Sequence, residues 1–232
     1  WIWSSWVPIQ KQEIHVPVDL NLRFDPPDVK WRAWYPNGTN FLTPWQERNA
    51  ENMDAHLETM LRLKMNTVEL LHIGNYTSPY EASAMSRIVR DRGLAITTTH
   101  TSSLGASYGN WDAYWHMRQQ EPPSWDVQDI DELLPYLKEF WQYHVETALR
   151  EELEMIWVIA FRGDGDLPFW VHMPQAPRSP VERGRIIERM MEEQIELLVE
   201  LTGDSAPPMR VILYSEIADL YAAGALNPPS SP

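Results

Sequence analysis

Arg162, Asp164 and Asp166 stand in the run Phe161-Arg-Gly-Asp-Gly-Asp166, directly after the apolar stretch Met155-Ile-Trp-Val-Ile-Ala-Phe161. A planar guanidinium can grip a carboxylate bidentately, so a cation four residues from an acid suits an acidic substrate. The intervening glycines let the backbone turn tightly and let a ligand approach. A second acid, Glu216, closes the apolar run that begins at Met209. Two carboxyl groups facing one pocket are the minimum apparatus for glycoside hydrolysis: one protonates the leaving oxygen while the other activates water or attacks the anomeric carbon. The plainer reading of either acid is a cap or an ion-pair partner in a loop that follows a strand.

His72, His100, Asp164 and Glu216 offer a different chemistry, because imidazole and carboxylate groups ligate divalent metals. No His-x-His or His-Glu-x-x-His spacing supports it, and each histidine reads first as a hydrogen-bonded group in a polar pocket. Ser215 lies beside Glu216, but no Gly-x-Ser-x-Gly elbow surrounds it, which argues against a serine triad. With no cysteine in the chain, thiolate metal sites, disulfides and a cysteine nucleophile are excluded.

These residues need a scaffold that brings strand ends together. Continuous apolar strands followed by amphipathic helices recur along the chain, which predicts parallel βα units. Lys30–Tyr35 reads as a strand ending in the turn Pro36-Asn37-Gly38, and Asn49–Lys64 as a helix. Asn66–His72 is a second strand. Ala82, Met85, Ile88 and Val89 mark a second helix closed at Gly93, and Leu94–His100 is a third strand. Ser102–Trp125 reads as a long polar and aromatic loop, Asp131–Glu152 as a helix, and the Met155 run as a fourth strand. A Pro-rich loop from Leu167 to Ser179, a helix from Pro180 to Leu201, a fifth strand from Met209 to Glu216 and a short helix from Ile217 to Ala223 complete the pattern. Asn37, His72, His100, Arg162, Asp164, Asp166 and Glu216 all fall at strand ends. That is the arrangement on the catalytic face of a (β/α)8 barrel. The expected class is α/β: a partial TIM-type barrel of about five βα units on a parallel sheet. Residues 1–28 read as an extended piece joining something upstream, which the family resemblance given below makes the exit segment from an earlier α/β domain; five strands do not close a barrel, so either more units follow or the sheet is open, and 29–232 is expected to be the opening five units of a truncated catalytic barrel.

The 232 residues are 44% hydrophobic and 22% charged, an ordinary globular composition. Nineteen Lys and Arg against 33 Asp and Glu give a net charge of −14, which disfavours nucleic acid as a partner. No apolar run approaches a membrane span. Twelve tryptophans are compatible with sugar stacking but serve equally in cores.

Several segments together resemble one family, glycoside hydrolase family 115, the xylan α-1,2-glucuronidases. They are Leu57-Glu-Thr-Met-Leu-Arg-Leu-Lys-Met-Asn66, Asp91-Arg-Gly-Leu-Ala-Ile-Thr-Thr-Thr-His100, Phe161-Arg-Gly-Asp-Gly-Asp166, and Tyr214-Ser-Glu216 with Tyr221-Ala-Ala-Gly-Ala-Leu226. Their order and rough spacing agree along nearly the whole chain. The resemblance implies inverting removal of glucuronic acid, often 4-O-methylated, from xylan, without a cofactor. It implies Asp166 and Glu216 as the catalytic carboxyl groups and Arg162 as the binder of the sugar carboxylate. His100 would line the pocket, with Asp164, Asn37 and Tyr214 as further substrate contacts. It also implies an acidic polysaccharide, glucuronoxylan, as partner, a secreted or periplasmic home, and a longer parent that could dimerise; the 232-residue slice alone is expected to have little activity.

The departures from the family pattern matter. Gly38 replaces an acid after the first strand. Thr101-Ser-Ser-Leu104 stands where a second histidine and a glutamate are the family's pattern, and Glu69-Leu-Leu-His-Ile73 replaces a Trp-rich segment. A carbohydrate-binding relative without turnover is therefore the alternative, followed by a metal-dependent barrel enzyme.

Overall fold

Short β-rich runs pair side by side because each is followed by a helix long enough to carry the chain back to the start of the next strand. The structure, a computed structural model, describes residues 15–23, 25, 27–35, 45 and 48–229. Asn37 and Gly38 lie outside the described residues. The chain divides into two units, Trp1–Thr67 and Val68–Pro232.

In the first unit, strand β1 (Ala33–Trp34) precedes helix α1 (Ala50–Arg62). Asn49 caps α1 by accepting a hydrogen bond from the Asn52 amide at 2.8 Å, and Met53, His56, Leu57 and Met60 form its buried face. The Asn66 side chain ties the return segment down: Oδ1 accepts from the Arg32 amide at 2.8 Å, and Nδ2 donates to the Lys30 carbonyl at 2.8 Å.

The second unit carries the parallel sheet. Its strands β2 (Thr67–Leu70), β3 (Ala95–Thr98), β6 (Met155–Val158) and β7 (Met209–Arg210) lie in the order β2-β3-β6-β7, with β3 parallel to β6 and β6 parallel to β7. The neighbours follow chain order without a reversal, as in a barrel segment rather than a doubly wound sheet. β3 and β6 are buried throughout, which explains why both read as unbroken apolar or threonine-rich runs. Helix α2 (Ala84–Asp91) links β2 to β3, capped by Ser83, whose hydroxyl accepts from the Ser86 amide.

The segment read as a loop after β3 has structure of its own. Strands β4 (Ser102–Ser103) and β5 (Ala106–Ser107) form an antiparallel hairpin, followed by a 3-10 turn at Tyr108–Asn110 and helix α3 (Trp111–Met117). Trp111, Tyr114 and Trp115, spaced three and four apart, supply the buried face of α3. Trp111 packs on Phe140 and Trp125, and Tyr108 on Phe161. This aromatic cluster fixes the excursion against helix α4 (Ile130–Arg150) and the end of β6. Asp129 and Glu132 form a capping box at the start of α4.

Two further differences from the sequence reading stand out. The Pro-rich loop contains a one-turn helix α5 (Phe169–His172), and Glu216 is the first residue of helix α7 (Glu216–Ala222) rather than the last of a strand. Of the run from Met209 only Met209–Arg210 pairs as strand, and the backbone then passes to α7 outside the sheet. Helix α6 (Pro180–Thr202) packs along α4 and ends at Gly203 in the left-handed conformation, as its glycine suggested.

Candidate active site at the strand ends

The site grows from the last residues of β6. Just beyond the strand, Ala160 is held by Gln194 of α6, whose side-chain oxygen accepts from the Ala160 amide at 3.0 Å and whose amide donates to the Ala160 carbonyl at 2.7 Å. A buried glutamine thus takes the place of a neighbouring strand. From there Phe161 enters the aromatic core and Arg162 turns inward, its side chain 2% exposed.

Arg162 gathers both acids. Its Nε donates to Glu216 Oε1 at 2.5 Å and its Nη2 to Glu216 Oε2 at 2.7 Å, a bidentate pair across 54 residues. Its Nη1 donates to Asp166 Oδ1, and Nη2 also donates to the Asp166 carbonyl at 3.1 Å. Both forked edges of the guanidinium are therefore filled by the protein's own oxygens, which leaves one outward N–H on Nη1. Burial alone would lower the Arg162 pKa, but its hydrogen bonds to Glu216 and Asp166 outweigh this and raise it. Burial alone would likewise raise the Asp166 pKa, yet Arg162, with help from His100, brings it below the ordinary carboxylate value.

His100, two residues past β3, reaches the same carboxyl, with Nε2 3.0 Å from Asp166 Oδ1. Its ring lies 4.1 Å from the ring of Tyr214, centroid to centroid, and the Arg162 guanidinium sits 5.5 Å from the Tyr214 centroid. So Arg162, Asp166, Glu216, His100 and Tyr214, drawn from the ends of β3, β6 and β7, form one cluster.

The loop that carries Asp166 is tightly folded. The Gly163 amide donates to the Leu167 carbonyl at 2.8 Å, and the Leu167 amide to the Asp164 carbonyl at 3.2 Å. Asp164 Oδ1 accepts from the Gly165 amide at 2.6 Å, and His172 Nε2 donates to the Asp164 carbonyl at 3.1 Å. A Cβ on Gly163 would come within 2.3 Å of the His172 ring, so any larger residue here must displace that ring from the loop. Asp166 itself has φ 62°, and Ser215, just before Glu216, has φ 51° and ψ −127°. Non-glycine residues in these regions cost on the order of 1–3 kcal/mol and concentrate at functional sites. Here one is an acid of the site, Asp166, and the other directly precedes Glu216.

A pocket of about 220 Å³ opens beside the loop, lined by Leu71, Thr101, Ser107, Gly109 and residues 163–166. That is below the roughly 300–1,000 Å³ of drug-sized ligand sites, and it suits a single sugar ring better than a chain. Thr101 belongs to the altered segment singled out from the sequence, whereas Ser107 and Gly109 were not singled out as lining residues. Gly109 is the one with a signal, a glycine in an aromatic stretch, and here it leaves room for Asp164 Oδ1, which would stand 3.0 Å from a Cβ at that position. His72 does not join the cluster: its Nδ1 donates to the Gly74 carbonyl at 3.1 Å and its ring leans on Tyr76. Among the described residues no group of three or more His, Asp or Glu side chains is placed to hold a metal ion.

Comparison with known proteins bears on this geometry. A search of curated proteins finds no match. A solved family GH115 4-O-methyl-α-glucuronidase, with specificity for decorated arabinogalactans, superposes with a TM-score of 0.67 at 21% sequence identity, covering 98% of this chain. The chain spans 30% of that protein's length. The model of glycosyl hydrolase family 115 matches residues 24–232, which includes every described residue of the cluster. On that match, the chain belongs to glycosyl hydrolase family 115.

Proposed function

We propose that the full-length protein is an inverting glycosidase that removes (4-O-methyl)-glucuronic acid side chains from xylan without a cofactor, with Asp166 and Glu216 as its two carboxyl groups. The observation that carries this reading is the convergence of both acids on one guanidinium beside a pocket at the strand ends. Inversion requires the two carboxyl groups to stand far enough apart for a water to attack. Inverting enzymes hold their carboxyl groups about 6.5–9.5 Å apart to admit a water, and retaining enzymes about 5–5.5 Å. Family membership and the glucuronidase activity of the solved relative point the same way. Arg162 would bind the sugar carboxylate. His100, Asp164, Tyr214 and Asn37 would supply further contacts.

The test is the anomeric form of the first product. An α-linked glucuronoxylan hydrolysed by the full-length protein in an NMR tube is expected to give the β-anomer before mutarotation; the α-anomer first would refute inversion. The solved relative's specificity makes decorated arabinogalactan the second polymer to assay. A binding protein without turnover is the competing reading. It is favoured by the altered segment Thr101–Leu104 and by Arg162 having both edges occupied. Saturable binding of glucuronate with no hydrolysis of either polymer would establish it.

A further inference from the structure

Arg162 presents a physical difficulty for a ligand carboxylate. The guanidinium is buried, absent from the pocket lining, and committed on both edges. The two occupants are not equivalent. The Glu216 side chain is 11% exposed and bound bidentately, whereas the Asp166 side chain is 46% exposed and lines the pocket. A ligand in the pocket therefore reaches Arg162 at Nη1, where the Asp166 carboxyl now sits.

We propose that a substrate carboxylate enters this site by exchange: it takes Nη1 of Arg162 from the Asp166 side chain, while the Asp166 carbonyl stays on Nη2 and His100, already bonded to Asp166 Oδ1, retains the displaced carboxyl. This rests on the reading of the protein as a uronate-specific glycosidase and adds how that specificity is exercised. Charge counting gives the consequence. One cation, Arg162, already faces two carboxylates, Glu216 and Asp166, with His100 on Asp166 and Asp164 in the pocket wall. Exchange strips Asp166 of its guanidinium while a further carboxylate enters the same cluster, so binding takes up a proton. The displaced Asp166, no longer held by Arg162, is the group freed to accept it. Binding of the acidic sugar would thereby turn Asp166 from a fixed carboxylate into a proton donor beside the glycosidic oxygen. A neutral sugar makes no exchange and leaves Asp166 clamped, so the site would reject it in turnover as well as in affinity.

The experiment is calorimetric titration of the full-length protein with free glucuronate at weakly acidic pH in two buffers of different ionisation enthalpy, with glucose as the neutral control. The difference in heat between buffers reads proton uptake and needs no variant. Exchange predicts uptake with glucuronate and none with glucose. Asp166→Asn, which keeps the shape but removes the competing charge, is expected to bind glucuronate about tenfold more tightly, the size of one charge-assisted hydrogen bond, and to lose the uptake. Glucuronate binding without uptake, unchanged or weakened in Asp166→Asn, would overturn the exchange and leave the glycosidase reading intact, because hydrolysis is assayed separately. Failure of the folded protein to bind glucuronate would overturn the exchange, and the hydrolysis assay would then decide the glycosidase reading by itself.

Discussion

Replacing Arg162 by methionine removes the cation at the centre of the site while keeping most of the side-chain length. Glu216 would then lose two hydrogen bonds, at 2.5 and 2.7 Å, in a setting where its side chain is 11% exposed. Breaking a buried pair by deleting one partner costs about 3–5 kcal/mol, because the remaining charge is left uncompensated. The Asp166 contact adds little, since that carboxyl is 46% exposed and an exposed pair contributes about 0–1 kcal/mol. Glu216 is the first residue of α7 and can swing partly outward, which lowers the expected loss to about 2–4 kcal/mol. For a domain of this size each kcal/mol moves the melting temperature by about 2–4 °C, so Arg162→Met should melt roughly 5–15 °C lower. Urea denaturation of the full-length protein, following this domain, measures the same quantity. The double variant Arg162→Met/Glu216→Gln removes both charges and should recover to within about 1 kcal/mol of the parent. A single variant within about 1 kcal/mol of the parent, or a double variant no better than the single, would refute the claim that this pair is buried and mutually dependent.

Other outcomes follow from the packing around the site. His144 is fully buried, with Nδ1 donating to the Phe140 carbonyl at 2.7 Å and Nε2 accepting from the Tyr76 hydroxyl at 2.7 Å, and burial lowers its pKa to about 3. The unfolded chain therefore binds a proton at His144 near pH 6.5 that the folded one refuses. Stability should be full above that value and fall as pH drops toward 3, by an amount on the order of 5 kcal/mol, with the dependence flattened in His144→Gln. Gly184 of α6 lies under the chain beyond α7, where a Cβ would come within 1.6 Å of the Ala225 carbonyl oxygen. Gly184→Ala should force the two apart and cost about 1–3 kcal/mol or more, read by denaturation. Asp129→Ala removes the capping box of α4 and should cost about 1 kcal/mol, lowering the melting temperature by roughly 2–4 °C without changing ligand affinity.

The alternation of strand and helix was legible because β3 and β6 are buried on both faces and the helices carry apolar stripes. Gly203 and the glycines of the Asp166 loop announced their turns. The hairpin at Ser102–Ser107 was not legible, because its strands are two residues each and owe their pairing to tertiary contacts: the Ser103 hydroxyl donates to Ala160, and that of Ser102 to Leu71. Helix α3 was missed for a related reason. Its aromatic residues read as a loop surface until Phe140 and Trp125 cover them. At the site, the sequence named Arg162, Asp166, Glu216 and His100 but could not show how they meet. The Arg162–Glu216 pair spans 54 residues, and whether a strand-end arginine faces ligand or protein depends on which acid the fold brings to it. The structure shows the ion pair in that loop; the catalytic carboxyl is the proposal, and the exchange at Arg162 is the means by which the first would become the second.

The most direct measurement is release of glucuronic acid from glucuronoxylan by the full-length protein and by its Asp166→Ala variant. The account predicts release by the parent and a loss of about 10²–10⁴-fold in the variant, as for removal of an acid or base in contact with the reacting bond. Undiminished release by a folded Asp166→Ala protein would contradict it.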